Sequence, residues 1–208
     1  MKVLLINGSP KSNGTTNRAM TEVAEKLNKN GIETEIFQLG PKTVNDCIGC
    51  MKCRDLKNRC TFDNDIVNQI LEKAETCDGF IFGTPVYYAH PSARLLAALD
   101  RIFYAGSGVF AYKPAAAVAV AIRAGTVASF DVLNKYFTIA RMPVVSSTYW
   151  NNVHGANAED AEKDLEGMQT MRNLADNMAW MLKCIDLGKK NGINPPENER
   201  QHRTNFIK

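Results

Sequence analysis

The apolar run "KVLLI" (residues 2–6) ends abruptly in "NGSPKSNGTT" (7–16), and that junction constrains the fold more than any other stretch. A short continuous run of this kind suits a strand covered on both faces, which is the habit of a parallel sheet. The glycines, serines and threonines that follow make a strand-to-helix turn. From about Thr16 to Asn30, residues Met20, Val23, Ala24 and Leu27 recur at helical spacing, and Gly31 stops the helix.

The alternation continues along the chain. "IETEIF" (32–37) reads as a half-exposed edge strand, "DIVNQILEKAE" (65–75) as an amphipathic helix and "GFIFGTP" (79–85) as a buried strand stopped by proline. "SARLLAALDRIF" (92–103) predicts helix, "AAAVAVAI" (115–122) strand, "ASFDVLNKYF" (128–137) helix and "MPVVSSTYW" (142–150) a fifth strand. A single long helix is expected from about Glu159 to Leu187, with Leu165, Met168, Met171, Leu174 and Met178 in its core stripe. Five strands alternating with helices predict an α/β domain, a parallel sheet with helices on both faces. Such sheets bind ligands beyond the carboxyl ends of their strands. Residues 1–188 form this domain in the reading, and the polar, proline-bearing stretch 189–208 leaves it as an extended arm.

Composition excludes several classes. A net charge of +3 is too small to argue for nucleic acid or an anionic membrane. No apolar stretch approaches a bilayer span, and the apolar start is too short for a signal peptide. The expected location is cytoplasmic.

Three turns at strand ends carry the chemistry. Unpaired backbone N–H groups at the first helix's start favour an anion. Ser9, Ser12, Thr15 and Thr16 add hydroxyls there, and Lys11 adds a charge. The spacing is neither G-x-G-x-x-G nor a P-loop, which favours a terminal monophosphate over a dinucleotide or triphosphate. The alternative is a polar turn that only caps the helix. "GTPVYYAHPSA" (83–93) and "RAGT" (123–126) follow later strands, and a flat ring system would fit between them. Ordinary semi-buried packing is the alternative for Tyr87 and Tyr88.

Six cysteines are present, and four of them form Cys47-x2-Cys50-x2-Cys53-x6-Cys60. Thiolates at this spacing can face one metal centre or cluster. Structural zinc and free thiols packed under the loop are the rival readings. Cys77 and Cys184 stand alone and read as inert thiols.

Taken together, "NGSPKSNGTTN", "FGTPVYYAHPSARLLAALDR" and "CIGCMKCRDLKNRC" resemble the NADPH-dependent FMN reductase family of flavodoxin-like proteins. More narrowly they resemble its iron–sulfur flavoprotein branch, over nearly all of residues 1–187. The resemblance implies a flavodoxin-like doubly wound five-stranded sheet in the order 2-1-3-4-5, FMN as cofactor, and a homodimer or homotetramer. By position it implies that Ser9, Lys11, Thr15, Thr16 and Asn17 hold the FMN phosphate. Thr84, Pro85, Val86, Tyr87 and Tyr88 would border the isoalloxazine ring, and Arg123, Ala124 and Gly125 would form a third flavin-facing loop. Cys47, Cys50, Cys53 and Cys60 would hold a [4Fe–4S] cluster. Two departures stand out: Leu96 replaces a lysine common in the family, and "DND" (63–65) alters its paired aspartates.

The implied activity carries electrons from NAD(P)H through the flavin N5 to a small acceptor such as a quinone, a nitro or azo compound, or a flavin. No side-chain acid or base is compulsory for that, and none stands out. An electron carrier reduced by ferredoxin is the second reading, and a flavin-binding redox sensor the third. His90 and His154 are minor candidates for protonation, and Trp150 and Asn152 for lining a substrate pocket.

Overall fold

In β1 (Lys2–Asn7) every residue after Lys2 is buried, because strands flank both its edges and helices cover both its faces. A computed structural model of the chain describes residues 1–202, 204 and 206. β1 pairs in parallel with β2 (Glu33–Gln38) on one side and β3 (Gly79–Tyr87) on the other. β3 pairs in parallel with β5 (Ala115–Ala121), and β5 with β6 (Asn152–His154), giving the order β2-β1-β3-β5-β6. A two-residue β4 (His90–Pro91) turns back antiparallel on the end of β3. Apart from this hairpin, the order is the one that the flavodoxin-like resemblance implies.

Side chains alternate across a strand, so one sheet sorts its residues into two cores. Val3, Leu5, Ile81 and Val118 join α1 (Thr15–Lys29) and α6 (Leu165–Lys190) on one face. Leu4, Ile6, Phe80 and Phe82 join α2 (Val67–Glu75), α3 (Ala93–Phe110) and α4 (Thr126–Ile139) on the other. No helix among the described residues is long and apolar enough to cross a membrane.

Two expectations are corrected. The strand expected over residues 142–150 is interrupted. Val144 bridges Ala115, and pairing resumes only where Asn152 meets Ala119. Between those two rungs β5 advances four residues and the edge chain eight. The excess is held off the ladder by α6. Ser147 Oγ donates to the Thr170 carbonyl at 2.7 Å, and Asn177 Nδ2 donates to the Ser146 carbonyl at 2.8 Å. The Ser147 hydroxyl and the Ser146 carbonyl thus find partners outside the sheet, and the edge strand breaks.

The long final helix is two helices. α5 (Ala158–Lys163) ends where Asp164 takes a non-helical conformation, and α6 then runs to Lys190. The Asp164 carboxylate accepts hydrogen bonds from the backbone N–H of Gly167 at 2.9 Å and of His154 at 2.7 Å. It therefore caps α6 and fixes β6 at once. Residues 191–202 form no helix or strand, and the Tyr112 hydroxyl donates to the Pro196 carbonyl at 3.2 Å.

Asp164→Ala should cost about 0.5–2 kcal/mol, the range for loss of a helix cap. The expected readout is a lower urea midpoint with an unchanged slope.

Candidate functional site

At the carboxyl end of β1 the chain turns within reach of β3. The Gly8 N–H donates to the Gly83 carbonyl at 2.8 Å. A Cβ on Gly8 would lie 2.9 Å from that oxygen and 2.9 Å from Leu95 Cβ, so only glycine allows the approach. The buried Asn7 side chain holds the next residue, its Oδ1 accepting from the Ser9 N–H at 3.0 Å. Asn7 Nδ2 donates to Gln38 Oε1 at 2.7 Å, and Gln38 Nε2 donates in turn to the Ser9 carbonyl. The turn is thereby stiffened from below by residues that the sequence reading did not single out.

α1 begins after Gly14, which has no side chain to cap it. Its first N–H groups lie beside a cleft of about 490 Å³, within the usual size of a small-molecule site. Ser9, Lys11, Thr15 and Thr16 line it on one side, with Ser9 and both threonines buried and Lys11 exposed. Thr15 Oγ1 donates to the Gly155 carbonyl at 3.3 Å. Asn17 sits behind the wall, accepting from Asn7 Nδ2 at 3.5 Å.

Pro85, Val86 and Tyr87 form the facing wall. Beyond them β3 and β4 close a hairpin whose central residues, Tyr88 and Ala89, have φ of 47° and 64°. Two positive φ values match a primed hairpin turn, which usually takes Asn-Gly and is strained with Tyr-Ala. Tyr88 is fully exposed at the tip. Thr84 is instead buried beneath the hairpin, where its Oγ1 accepts from the Ser92 N–H at 2.9 Å. Gly125, at φ 93°, packs under this hairpin: a Cβ there would lie 2.8 Å from Val86 Cγ1 and 2.9 Å from Ala89 Cα. Arg123 and Ala124 are exposed and do not line the cleft.

The rest of the wall is Val120, Ala121 and Ile122 at the end of β5, with residues 155–159 opposite. The second stretch was missed because the expected helix began at Glu159. The N-cap pattern of Asn157 followed by Glu159 and Asp160 is the signal that marks it. His90, His154, Trp150 and Asn152 do not line the cleft. Trp150 packs beside Tyr149 with ring centroids 5.2 Å apart, and Asn152 is buried in β6.

The four clustered cysteines all line one depression of about 20 Å³. Left-handed backbone at Gly49 (φ 65°) and Met51 (φ 57°) keeps the segment turning between them. Cys60 is buried, Cys47 and Cys53 are half-buried, and Cys50 is exposed. Burial pushes the Cys53 thiol up, and the nearby Cys60, Cys47 and Cys50 sulfurs add to the shift. Among the described residues no three His, Cys, Asp or Glu side chains are already arranged to hold a metal ion.

Under the depression lies Arg101, whose side chain is 1% exposed and is ion-paired with Asp65, itself 2% exposed. Its Nε donates to Cys60 Sγ at 3.3 Å and its Nη2 to the Phe62 carbonyl at 3.0 Å. Nη1 donates to Asp65 and to the Asn45 carbonyl, the latter at 3.2 Å. Arg101 was passed over in the sequence, although it stands three residues after the buried Ala98 on the inward stripe of α3.

The sequence model of the NADPH-dependent FMN reductase family matches residues 1–157. The chain belongs to that family. It also resembles curated iron–sulfur flavoproteins over most of its length. One from Methanocaldococcus jannaschii is 34% identical over 194 residues, covering 89% of this chain and 99% of the relative. Another, from Methanosarcina thermophila, is 28% identical over 189 residues, covering 89% and 97%. Among solved structures, an NAD(P)H:quinone oxidoreductase from Methanothermobacter marburgensis superposes with a TM-score of 0.66 at 15% identity, covering 86% of this chain and 96% of that one. A flavodoxin from the domain Archaea gives 0.57 at 11% identity, over 88% and 99%. At such identities the likeness is one of fold.

The cleft of this FMN reductase family member fits the cofactor. An uncapped helix start and buried hydroxyls suit a phosphate, and the apolar wall of Pro85, Val86 and Tyr87 suits a flat ring. The cysteine depression fits an iron–sulfur cluster in donor chemistry. Its described lining holds four thiols and neither carboxylate nor imidazole.

Burial raises the Asp65 carboxyl, but hydrogen bonds from Arg101 and from the Asn45 and Val67 N–H groups outweigh it and leave it below the usual aspartate range. A depressed folded value stabilises the protein above the unfolded value, about pH 4, and that contribution is lost as pH falls through the folded one. The gap in urea midpoint between wild type and Asp65→Asn is therefore expected to narrow below about pH 4.

Proposed function

We propose that this chain is an FMN-dependent electron-transfer oxidoreductase whose cysteine loop carries an iron–sulfur cluster of the [4Fe–4S] type. The observation that carries the reading is the uncapped start of α1. It opens, beside buried Ser9 and Thr16, into a cleft walled by the ends of three neighbouring parallel strands. The family match and the likeness to iron–sulfur flavoproteins over 89% of the chain support it.

The chain's own residues divide the work. Ser9, Thr16 and the first N–H groups of α1 would hold the phosphate, with Lys11 adding positive charge from the exposed side. Pro85, Val86 and Tyr87 would border the ring and exclude water from one of its faces, with Gly125 bracing their hairpin from beneath. Cys47, Cys50, Cys53 and Cys60 would hold the cluster. When bound, FMN supplies two-electron and single-electron exchange, and a cluster supplies single electrons.

NAD(P)H as electron donor to a small acceptor is the second reading. The family's description favours it, as does the exposure of Tyr87 and Tyr88 beside the cleft, where a second flat molecule could stack. Mixing the anaerobic flavoprotein with NADH, NADPH or reduced ferredoxin in a stopped-flow instrument separates the two. Rapid bleaching of the flavin by a nicotinamide supports the second reading, and bleaching by ferredoxin alone supports the first.

The double variant Ser9→Ala/Thr16→Ala should bind FMN about ten- to a hundredfold more weakly, from two hydrogen bonds lost to a charged group. Titration of the apoprotein followed by flavin fluorescence measures this, and an unchanged dissociation constant would remove the phosphate site from these residues.

A further inference from the structure

Buried Arg101 anchors the cysteine-bearing segment from beneath. Its guanidinium reaches Asn45, two residues before Cys47, and Phe62, two residues after Cys60, so the segment is gripped at both ends. Between those grips the same group donates to Cys60 Sγ and lies 5.5 Å from the centre of the Phe62 ring. Asn68 reinforces the far end, accepting from the Cys60 N–H at 2.8 Å and donating to the Cys60 and Phe62 carbonyls at 3.1 Å each. No comparable brace touches Cys47 or Cys50 among the described hydrogen bonds, and the Cys53 thiol makes only a 3.8 Å contact with the Tyr104 carbonyl. Three thiols sit on a turning surface loop while the fourth is fixed from three sides.

We infer that Arg101 is the positioning residue of the cysteine loop. It fixes Cys60 as the first, immobile ligand and keeps a positive N–H donor on that sulfur, and the other three thiols close on the cluster from the surface side. This rests on the reading that the loop holds an iron–sulfur cluster. An arginine fits the role where a lysine does not. Its planar fork can serve a sulfur, a carboxylate and two carbonyls at once from fixed directions, whereas an ammonium is a single point of charge. Burying such a cation is costly unless every donor is used, and Asp65 supplies the countercharge. A hydrogen bond and a positive charge at a ligand sulfur also raise a cluster's reduction potential.

Anaerobic reconstitution with ferrous iron and sulfide tests this on wild type, Arg101→Lys and Arg101→Met, with iron, sulfide and FMN counted per chain. Arg101→Met is expected to hold about a tenth or less of the wild-type iron while keeping its FMN, and Arg101→Lys to hold an intermediate amount. The cluster of Arg101→Lys should have a lower midpoint potential than wild type, because the Nε–H donor to sulfur is gone. Wild-type iron content in Arg101→Met, or an unshifted potential in Arg101→Lys, overturns the assignment. If Arg101→Met also loses FMN, the chain has collapsed, and the potential of Arg101→Lys decides alone. If wild type itself takes up no iron, the cluster reading fails separately. Hydrogen exchange over residues 45–62 then decides the positioning role, faster exchange in Arg101→Lys supporting it and unchanged protection overturning it.

Discussion

At Gly8 three elements come closer than any side chain would permit. The β1 backbone donates to the β3 carbonyl at Gly83, and Leu95 of α3 presses against the space where a Cβ would stand. Ser92, the N-cap of α3, closes the contact by donating its hydroxyl to the Gly8 carbonyl at 3.0 Å. The same Ser92 donates its N–H to Thr84. The turn after β1 and the hairpin that faces it are therefore one hydrogen-bonded unit rather than two loops that happen to meet. Even alanine at position 8 would have to push the strands or α3 apart, and the cleft walls would part with them.

Residues that pack against apolar neighbours were legible in the sequence. Strands β1, β3 and β5 are runs that both faces of the sheet demand, and their order followed from the family resemblance. What escaped notice is decided by polar partners distant in sequence. Nothing in "VVSSTYW" announces that Ser146 and Ser147 will bond to α6 and leave the sheet edge. The apolar stripe of the final helix runs on past Asp164, so periodicity hides a break that one carboxylate imposes by bonding both Gly167 and His154.

The candidate site divides along the same line. Ser9, Thr16, Pro85, Val86 and Tyr87 do line the cleft and were marked by turn chemistry and resemblance, because a turn rich in glycine, serine and threonine is visible in the sequence. Asn7 and Gln38 were not, since their role is to hold the Ser9 backbone, and no local pattern records a bond between residues 31 apart. Thr84 does not line the cleft, and its buried hydroxyl belongs to the joint beneath the hairpin. Arg123 and Ala124 are exposed and outside the cleft, and of that loop it is Gly125 whose backbone the hairpin covers.

Helix α3 ties the two candidate redox sites together. Ser92 at its start belongs to the joint under the cleft, and Arg101 and Tyr104 further along line or underlie the cysteine depression. Nine residues at about 1.5 Å each place Ser92 and Arg101 about 13 Å apart along the axis. The one non-helical residue of α3, Gly106, comes after both. The stretch between the anchors is thus regular helix, buried through Leu95, Leu99 and Ile102 against the phenylalanine-rich core. The same regular segment carries both the sheet-end joint and the guanidinium that grips the cysteine loop. The spacing of the two sites is consequently a property of packed core, which has few ways to yield, and not of the surface loops that carry their ligands.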